Sequence, residues 1–500
     1  MEFGITELLI IIIIGILFAV LYGSTITHNH WKNLGVPGPK PTPLIGNMGP
    51  LIFGQRSFVD TCNQMYMKWK KEPYFGIFNA HLPVLLVIDM NLIRQILIKD
   101  FHNFSSRGVV MNDYDPLSHN LFNIYGHKWK VLRRKITPVF TTGKIKHMIE
   151  SMTECAGRFE NYLFNQVSKN NVLECSSLVG KFTIDATIAF AFGVNISSIY
   201  EDNNQFEVIG KQLFKPTIWN LMKQIMSVAA PGLYKFFGLR ILPEEQSDFF
   251  INFIKQTMEL RERENVVRDD IIDMLIDLKK NQKDFDFELT DSFLASQAFV
   301  IFVAGYEGPL ATISFALYEL AVAPKIQDKV RTEIFEVLKK HNGQLSYEAI
   351  NEMEYLKMVI YETLRKNPPG PLMVRKAAQD YKLPESNVIL PAGTLILVPA
   401  FSIHHDEEHF PNSEFFDPER FKIDKKPSVA YIPFSDGPRS CIGVKIAIYL
   451  SAVGLISVLK HFRVSPSKFL EIPYTIEKSA FLLSASGGIN LKFEPIIDEN

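Results

Sequence analysis

A single cysteine near the carboxyl end of the chain lies in a setting suited to thiolate chemistry. Cys441 is found within residues 434–443, two residues after Arg439, and an apolar helical pattern follows from Val444 to Leu459. Two glycines in this stretch allow the backbone to turn tightly, and a nearby cation and a helix N-terminus both stabilise a negative sulfur. The alternative is a buried structural cysteine, the common role of an isolated one. The spacing predicts a loop that presents the Cys441 thiolate.

Five residues of this stretch also match a known pattern at fixed spacing. Phe434, Gly437, Arg439, Cys441 and Gly443 fit Phe-x-x-Gly-x-Arg-x-Cys-x-Gly, so the stretch resembles the haem-ligand loop of the cytochrome P-450 family. The resemblance implies that Cys441 is the axial thiolate ligand of the iron of haem b, and that Phe434 and Arg439 also contact the cofactor. A thiolate ligand donates electron density to haem iron and favours cleavage of O–O bonds.

Three more residues occupy positions that contact the haem propionates in this family. Trp129 and Arg133 are four residues apart in a basic helical segment, so they share one helix face. Arg375 occupies another position of this kind, and a guanidinium group suits a carboxylate through its two parallel donors. The resemblance implies that all three bind the haem. For Trp129 and Arg133 the alternative is an amphipathic helix with a solvated basic side.

An ion cluster is predicted from two segments that are far apart in the chain. Glu362 and Arg365 share one face of a helix predicted from Ile350 to Lys366, which two prolines end. In the family such a pair is buried with a second arginine beneath the haem core, and Arg420 stands where that arginine stands. A leftover buried charge is costly, so all the partners are needed. The predicted role is structural.

Two other polar segments are interpreted as solvated surface. His404, His405, Asp406 and His409 could suggest a metal site, but their surroundings lack the supporting contacts that metal ligands need. In the family this segment is a surface connection, so it is given no ligand role. The charged stretch at residues 261–270 is likewise predicted to be a solvated helical face.

The chain departs from the family in a long apolar helix predicted from Ser292 to Val322. Family members carry Ala-Gly-x-Glu/Asp-Thr-Thr/Ser here, and their threonine helps to pass protons for cleavage of the O–O bond. This chain has Ala-Gly-Tyr-Glu-Gly-Pro at residues 304–309. Pro309 lacks the N–H that would bond the Gly305 carbonyl, so a kink is expected, with a freed carbonyl that could hold water.

The candidate catalytic residues are therefore Glu307, Gly305 through its carbonyl, and Thr312, which lies one turn beyond Gly308. In one interpretation the protein is a monooxygenase that delivers protons through water on Glu307 and the Gly305 carbonyl. In a second it resembles the minority of the family that isomerise or dehydrate hydroperoxides without O2 and do not need the threonine. A third interpretation is a haem-binding protein without catalysis. The remaining similarity to insect detoxifying members favours the first.

The composition fits one large domain. The chain has 500 residues, 47% of them hydrophobic, and no linker divides it. A net charge of −1 gives no support for a nucleic-acid partner, and four scattered cysteines suggest neither disulfides nor a zinc site. The resemblance implies a mostly α cytochrome P-450 fold around a buried haem at residues 44–500, with a small β portion in the N-terminal third and near the C-terminus. An apolar pocket for a lipophilic substrate is expected at residues 105–123, 206–214, 301–304, 371–374 and 481–484.

The amino-terminal residues predict a membrane attachment. Residues 8–22 form an unbroken apolar run that approaches the length of a spanning helix, so residues 1–23 are predicted to be a transmembrane anchor. The alternative, a cleaved signal peptide, would need a basic start and a small-residue cleavage site. Residues 24–43 contain four closely spaced prolines and are predicted to be a stiff hinge.

The location and the electron donors follow from the resemblance to microsomal animal members, insect xenobiotic-metabolising ones in particular. It implies a cytosolic body on the endoplasmic reticulum membrane. Electrons would come from NADPH through NADPH-cytochrome reductase, with cytochrome b5 as a second candidate donor. The acidic surface of the reductase is expected to meet Lys130, Arg134 and Lys135.

Overall fold

The computed structural model describes residues 22–23, 25–196, 198–201, 204–214, 217–240, 242–422, 424, 428–480 and 482–496. The predicted anchor at residues 1–23 lies outside these residues except for Tyr22 and Gly23. Phe481, part of the predicted pocket lining, also lies outside them.

Helices dominate the described chain, as the sequence predicted. In chain order the α-helices are α1 (His30–Asn33), α2 (Gly49–Ile52), α3 (Phe58–Trp69), α4 (Met90–Arg94), α5 (Gly126–Ile136), α6 (Thr142–Lys169), α7 (Cys175–Phe192), α8 (Gln205–Phe214), α9 (Ile218–Ala229), α10 (Pro231–Phe236), α11 (Glu244–Glu264), α12 (Ile271–Lys280), α13 (Asp291–Val322), α14 (Pro324–Lys340), α15 (Tyr347–Glu352), α16 (Glu354–Lys366), α17 (Ala400–His404) and α18 (Val444–Leu459). The bounds predicted for α18 are confirmed, and α13 begins one residue before the predicted Ser292.

The strands form small sheets at the edge of the helical body. They are β1 (Tyr74–Asn79), β2 (Leu82–Val87), β3 (Val172–Glu174), β4 (Met373–Lys376), β5 (Tyr381–Lys382), β6 (Ile389–Leu390), β7 (Leu395–Val398), β8 (Phe462–Pro466) and β9 (Asn490–Pro495). The sheet orders are β1-β2-β7-β4 and β3-β9-β8, with β5 and β6 paired separately, and β2 runs parallel to β7. The middle of the chain therefore adds β4 and β7 to the first sheet, which the sequence did not predict.

The core lies around α13, which contacts α7, α11 and α18. Helices α7 and α18 are apolar on nearly all sides, as expected for helices surrounded by protein. A second apolar cluster joins α3 to the first sheet through Tyr66, Phe75 and Leu85. Among the described residues, α7 and α13 are long and apolar enough to cross a membrane, but 89% and 61% of their most apolar segments are buried inside the protein.

The helix predicted from Ile350 to Lys366 is in fact two helices, α15 and α16, with a break at Met353. The cause is tertiary. The Glu333 carboxylate on α14 accepts the backbone N–H groups of Tyr355 and Leu356, each at 2.8 Å. Free N–H groups at a helix start need such an acceptor, so Glu333 fixes where α16 begins. Its predicted end at Lys366, before the two prolines, is confirmed.

The histidine segment that was predicted to be a surface connection is buried at His404, His405 and Asp406, so the prediction is wrong for these three residues, whereas residues 407–409 retain exposed surface. His404 has no exposed surface. Its Nε2 accepts the Ile432 N–H at 3.0 Å, so Nδ1 donates to the Arg365 carbonyl at 3.0 Å. Burial lowers the pKa of His404 to about 3, which keeps the ring neutral. Asp406 accepts hydrogen bonds from Tyr66 and Lys70. These side chains join α16 and α3 to the segment after α17.

The stretch at residues 261–270 is only partly the solvated face that was predicted. Arg261 is 7% exposed and pairs with Asp270 at 2.6 Å and with Asp273 at 3.0 Å. It also donates to the Phe192 carbonyl at 2.9 Å. The residues between Arg261 and Asp270 are exposed. Arg261 contacts the end of α7, so it connects α11 and α12 to the core and does not belong to a solvated helix face.

Candidate functional site

The loop before α18 is folded so that Cys441 stands at its tip. The Cys441 N–H donates to the Phe434 carbonyl at 3.0 Å, and Gly437 turns with a φ of 72°. A side chain at Gly437 would collide with the Leu97 carbonyl, so glycine is required there. Of the four cysteines Cys441 is exposed and the other three are buried.

The surroundings of Cys441 act on the acidity of its thiol in two opposite directions. Burial raises its pKa above the ordinary value, while a hydrogen bond from the Gly443 N–H and the charges of Arg133 and Arg107 act in the opposite direction. The side chain is accessible although protein atoms surround it, as expected of a group that lines a cavity. A metal ion that takes this sulfur as a ligand would displace the thiol proton.

Four arginines converge on this loop. Arg133 on α5 donates to the Ser440 carbonyl at 3.0 Å, and Arg375 on β4 donates to the Ser435 hydroxyl at 3.1 Å. Arg107 donates to the Arg439 carbonyl at 3.1 Å. The structure thus brings together the predicted Arg133, Arg375 and Arg439 and adds Arg107.

These guanidinium groups have no counter-ion of their own. Within the described residues no carboxylate forms an ion pair with any of the four. Burial and, secondarily, mutual repulsion lower the pKa of Arg439 to about 9, and burial lowers that of Arg375 to about 10. The Arg375 Nε is buried and has no hydrogen-bond partner. Buried unpaired charge is costly, so the cluster fits a ligand that carries carboxylates, as haem does in its two propionates.

Trp129 and Arg439 form the wall beside this cluster. Trp129 is 5% exposed, and the Arg439 guanidinium carbon lies 4.5 Å from the centroid of its ring, within cation–π range. Arg439 also donates to the backbone carbonyls of Ser105, Leu121 and Phe122 at 2.9–3.2 Å. The N–H donors of Arg439 therefore hold the loop before α5 in place. Arg439 can still attract an anionic ligand through its positive charge.

The middle of α13 supplies the second face of the site. Glu307 is partly buried, and no hydrogen bond or ion pair joins it to another described residue. Burial raises its pKa to about 7. Ala304 is exposed, and a Cβ added at Gly308 would meet nothing within 4 Å. The helix therefore presents small residues and one readily protonated carboxyl group.

The other two predicted catalytic residues are already in contact with protein groups. The Thr312 hydroxyl is buried and donates to the Gly308 carbonyl at 2.8 Å. Gly305 approaches α7 so closely that an added Cβ would lie 2.8 Å from Thr187 Cγ2 and 3.0 Å from Thr187 Oγ1. The structure thus leaves Glu307 as the member of this set that is free to exchange a proton.

The predicted ion cluster has the expected partners. Glu362 accepts two hydrogen bonds from Arg365, both 2.8 Å long, and both side chains have no exposed surface. Arg420 lies 3.4 Å from the same carboxylate, and the Asp417 N–H donates to it at 2.9 Å. Burial raises the pKa of Glu362 more than Arg365 lowers it. The cluster holds α16 against the segment before the Cys441 loop.

The predicted pocket lining is only partly apolar cavity wall. Phe206 on α8 is 4% exposed and belongs to an aromatic core cluster, with ring centroids 4.9 Å from Phe253 and 5.9 Å from Phe302. Phe206 therefore packs within the core, and the lining role predicted for residues 206–214 stays a prediction. Ile301, Val303, Ala304 and residues 372–374 do retain accessible surface, whereas Phe302 is fully buried.

Arg107 is the site residue that sequence reasoning missed. It belongs to the segment predicted to line the pocket. Because this segment is a loop without helical or strand periodicity, the sequence does not indicate which way the Arg107 side chain points. Its guanidinium carbon lies 3.9 Å from the centroid of the Phe122 ring, and it donates to the Phe122 carbonyl at 2.8 Å. A cation in a predicted apolar lining was the one available hint.

Comparison with known proteins gives consistent matches along the whole chain. A family model described as cytochrome P450 matches residues 36–493. Cytochrome P450 6a2 of Drosophila melanogaster is 37% identical over 97% of this chain and 99% of its own length. Probable cytochrome P450 6a14 of the same organism is 35% identical with the same coverage. Cytochrome P450 6k1 of Blattella germanica is 34% identical over 97% of each chain.

Proposed function

This chain belongs to the cytochrome P450 family of haem-binding monooxygenases, and from that premise we propose that it oxidises lipophilic small molecules with O2 and electrons from NADPH. The substrate classes are xenobiotics, such as plant toxins or insecticides, and endogenous lipids. The apolar residues expected around the site and the similarity of the chain to insect relatives support this proposal.

The site residues take distinct roles in this proposal. Cys441 would hold the haem iron through its thiolate, Arg107, Arg133 and Arg375 would neutralise the propionates, and Trp129 would form the wall beside them. The position of these arginines around the Cys441 loop supports these roles. Phe434 fixes the Cys441 backbone by accepting its N–H. When bound, the haem with its thiolate ligand supplies the oxidising chemistry.

The observation that carries the monooxygenase proposal is the state of Glu307. A carboxyl group with a pKa of about 7 takes up and releases protons at the working pH, which is the property of an effective general acid. It lies two residues from Gly305, whose carbonyl lacks its usual helical donor because Pro309 follows four residues later. Proton delivery then needs Glu307 and no threonine at Gly308.

A second function, isomerisation or dehydration of hydroperoxides without O2, is favoured by a different observation. Gly308 has no hydroxyl, and the Thr312 hydroxyl is already bonded to the Gly308 carbonyl. A reaction that starts from an existing O–O bond does not require delivery of protons to molecular oxygen. This alternative leaves Glu307 without a task.

The proposed electron donor is NADPH-cytochrome reductase, with cytochrome b5 as an alternative, at the endoplasmic reticulum membrane. Lys130 and Arg134 on α5 are exposed, whereas Lys135 pairs with Asp284 at 2.8 Å. The exposed pair lies on the helix whose other face carries Trp129 and Arg133. An acidic partner docked there would sit next to the Cys441 side of the site.

The deciding experiment supplies the enzyme either with O2, NADPH and reductase or with a lipid hydroperoxide alone. Purified full-length protein with reductase and NADPH is tested for O2 uptake and product across a lipophilic panel. The same protein without reductase is tested for consumption of a lipid hydroperoxide. Product that depends on O2 and NADPH supports the proposal. Product from the hydroperoxide alone, with none from O2 and NADPH, would leave the isomerase function.

A further inference from the structure

The turn of α13 that carries Glu307 has one backbone acceptor without its helical donor. In an α-helix the carbonyl of each residue accepts the N–H of the fourth residue onward. For Gly305 that residue is Pro309, which has no N–H. A buried carbonyl that loses its donor is costly unless another group replaces it.

An unpartnered hydroxyl lies at the same place on the neighbouring helix. Thr187 on α7 has no exposed surface, and its Oγ1 forms no hydrogen bond with any described residue. This oxygen lies 3.0 Å from the position that a Gly305 Cβ would occupy. Because glycine has no side chain, the threonine stands directly against the α13 backbone at the turn that Pro309 disrupts.

The packing of this turn keeps the two helices in close approach. The Tyr306 ring is wedged between α7 and α8, since a Cβ at Gly210 would lie 2.8 Å from it and one at Gly180 would lie 3.7 Å from it. On the opposite side, the space at Gly308 is open. The turn is therefore packed against α7 and α8 on one side, and no atoms of the described residues support it on the Gly308 side.

We propose that Thr187 is a positioning residue whose side chain rotates about its Cα–Cβ bond so that the hydroxyl donates to the Gly305 carbonyl, in place of the missing Pro309 N–H, and so fixes the turn that presents Glu307. This inference rests on the proposed monooxygenase function for its effect on catalysis. The hydrogen bond itself does not depend on that function. A donor supplied by α7 explains why a proline is tolerated here.

The test is a double-mutant cycle on purified, haem-loaded, full-length protein. Thr187→Val keeps the shape and removes the hydroxyl, and Pro309→Ala returns an N–H to the Gly305 carbonyl. Thr183→Val is the matched control, because Thr183 is equally buried one turn earlier on α7 but bonds the Gly180 carbonyl of its own helix. Thr187→Ser should retain the wild-type behaviour because it keeps the hydroxyl.

Two readouts are measured for every variant: the thermal midpoint and the ratio of product formed to NADPH consumed. Thr187→Val should lower the midpoint by about 1–2 °C and the ratio by about fivefold, the size expected for loss of one hydrogen bond. In the Pro309→Ala background both effects should disappear, since the carbonyl then has its own donor. Thr183→Val should change both readouts by the same amount in the wild-type protein and in the Pro309→Ala protein.

The opposite outcomes are clear. If the Thr187 hydroxyl is simply unpaired, Thr187→Val raises the thermal midpoint in both backgrounds and leaves the ratio unchanged, which overturns the inference. Equal losses in both backgrounds would also overturn it, because they would show that Thr187 acts independently of the Gly305 carbonyl. If wild-type protein forms no product from O2 and NADPH, the proposed function fails, while the thermal cycle still decides the role of Thr187.

Discussion

The chemistry of single residues in this protein depends on charges that the chain does not neutralise by itself. Arg375 is buried, and its Nε has no hydrogen-bond partner among the described residues. Burial and then the charges of Arg439 and Arg375 lower the pKa of Arg107, and burial and then the charges of Arg375 and Arg133 lower that of Arg439. Cations that repel one another thus lie next to the Cys441 side chain. A ligand that brings two carboxylates and a metal ion answers both needs at once.

The ligand role of Cys441 has a direct spectroscopic test. Replacing Cys441 with His should abolish the ferrous–CO absorption band that marks thiolate-ligated haem and should remove turnover, because imidazole is a weaker electron donor than thiolate. Cys155→Ala, at a buried cysteine on α6, is the control and should keep the band. An unchanged band in the Cys441→His protein would show that another residue binds the iron.

The protonation of Glu307 should appear in the pH dependence of catalysis. Burial raises its pKa to about 7, so the carboxyl is protonated below that pH and ionised above it. We expect the ratio of product to NADPH consumed to fall as the pH rises through about 7, with released peroxide increasing. Glu307→Gln should show a lower ratio at all pH values and no inflection near 7, since an amide does not titrate.

The control for this profile is Glu336→Gln, at an exposed carboxylate on α14, which should behave like the wild type. If Glu307→Gln retains the full ratio and the inflection, the proton comes from another group. If it leaves hydroperoxide conversion unchanged while NADPH is not needed, the isomerase function is supported.

At the scale of elements, α13 shows how one helix accommodates a changed motif. The space beside Gly308 is open, so Gly308→Thr together with Pro309→Ser can restore the family pattern without a collision at the added Cβ. We expect the ratio of product to NADPH to be equal to or better than that of the wild type. Gly308→Val with Pro309→Ser fills the same space without a hydroxyl and should not improve it. A gain in both double variants would assign the benefit to the restored backbone N–H.

The elements also show how far the sequence reaches. Apolar periodicity predicted α13 and α18 because their signal is local and continuous. It did not predict the break at Met353, since the acceptor that starts α16 is Glu333, more than 20 residues away in the chain. The Glu362–Arg365 contact was predictable from helical spacing, whereas the third partner, Arg420, was placed by resemblance alone.

Burial of polar side chains was the least predictable property. His404 and Arg261 both lie in polar stretches, yet each is buried because its donors or acceptors meet backbone groups of distant elements. The spread of such partners along the chain leaves no periodic pattern. The role of Arg107 was not predicted for the same reason. It depends on the position of the Arg439 carbonyl, which is over 300 residues away in the chain.

At the scale of the whole molecule, the haem-binding body and its membrane attachment are expected to be separable. The two apolar cores lie within residues 31–493, and the predicted anchor at residues 1–23 precedes them. Exposed apolar side chains remain on α9, on α10 and directly after α10, where Trp219 is 61%, Phe236 81% and Phe237 62% exposed. Such residues can add a weaker, peripheral contact with lipid.

Deletion of residues 1–23 should therefore weaken membrane attachment without abolishing haem binding. The truncated protein should leave the membrane fraction at high salt or high pH, where the full chain stays, and should keep the ferrous–CO band. Phe236→Ser with Phe237→Ser in the full chain is the matched control: it should leave attachment at high salt intact, because the spanning helix alone is sufficient. When the two Phe→Ser changes are added to the truncated protein, they should release the protein that still remains bound.

A truncated protein that is soluble but cannot bind haem would show that the body does not fold independently of the anchor. Secretion of the full chain would identify residues 1–23 as a signal peptide.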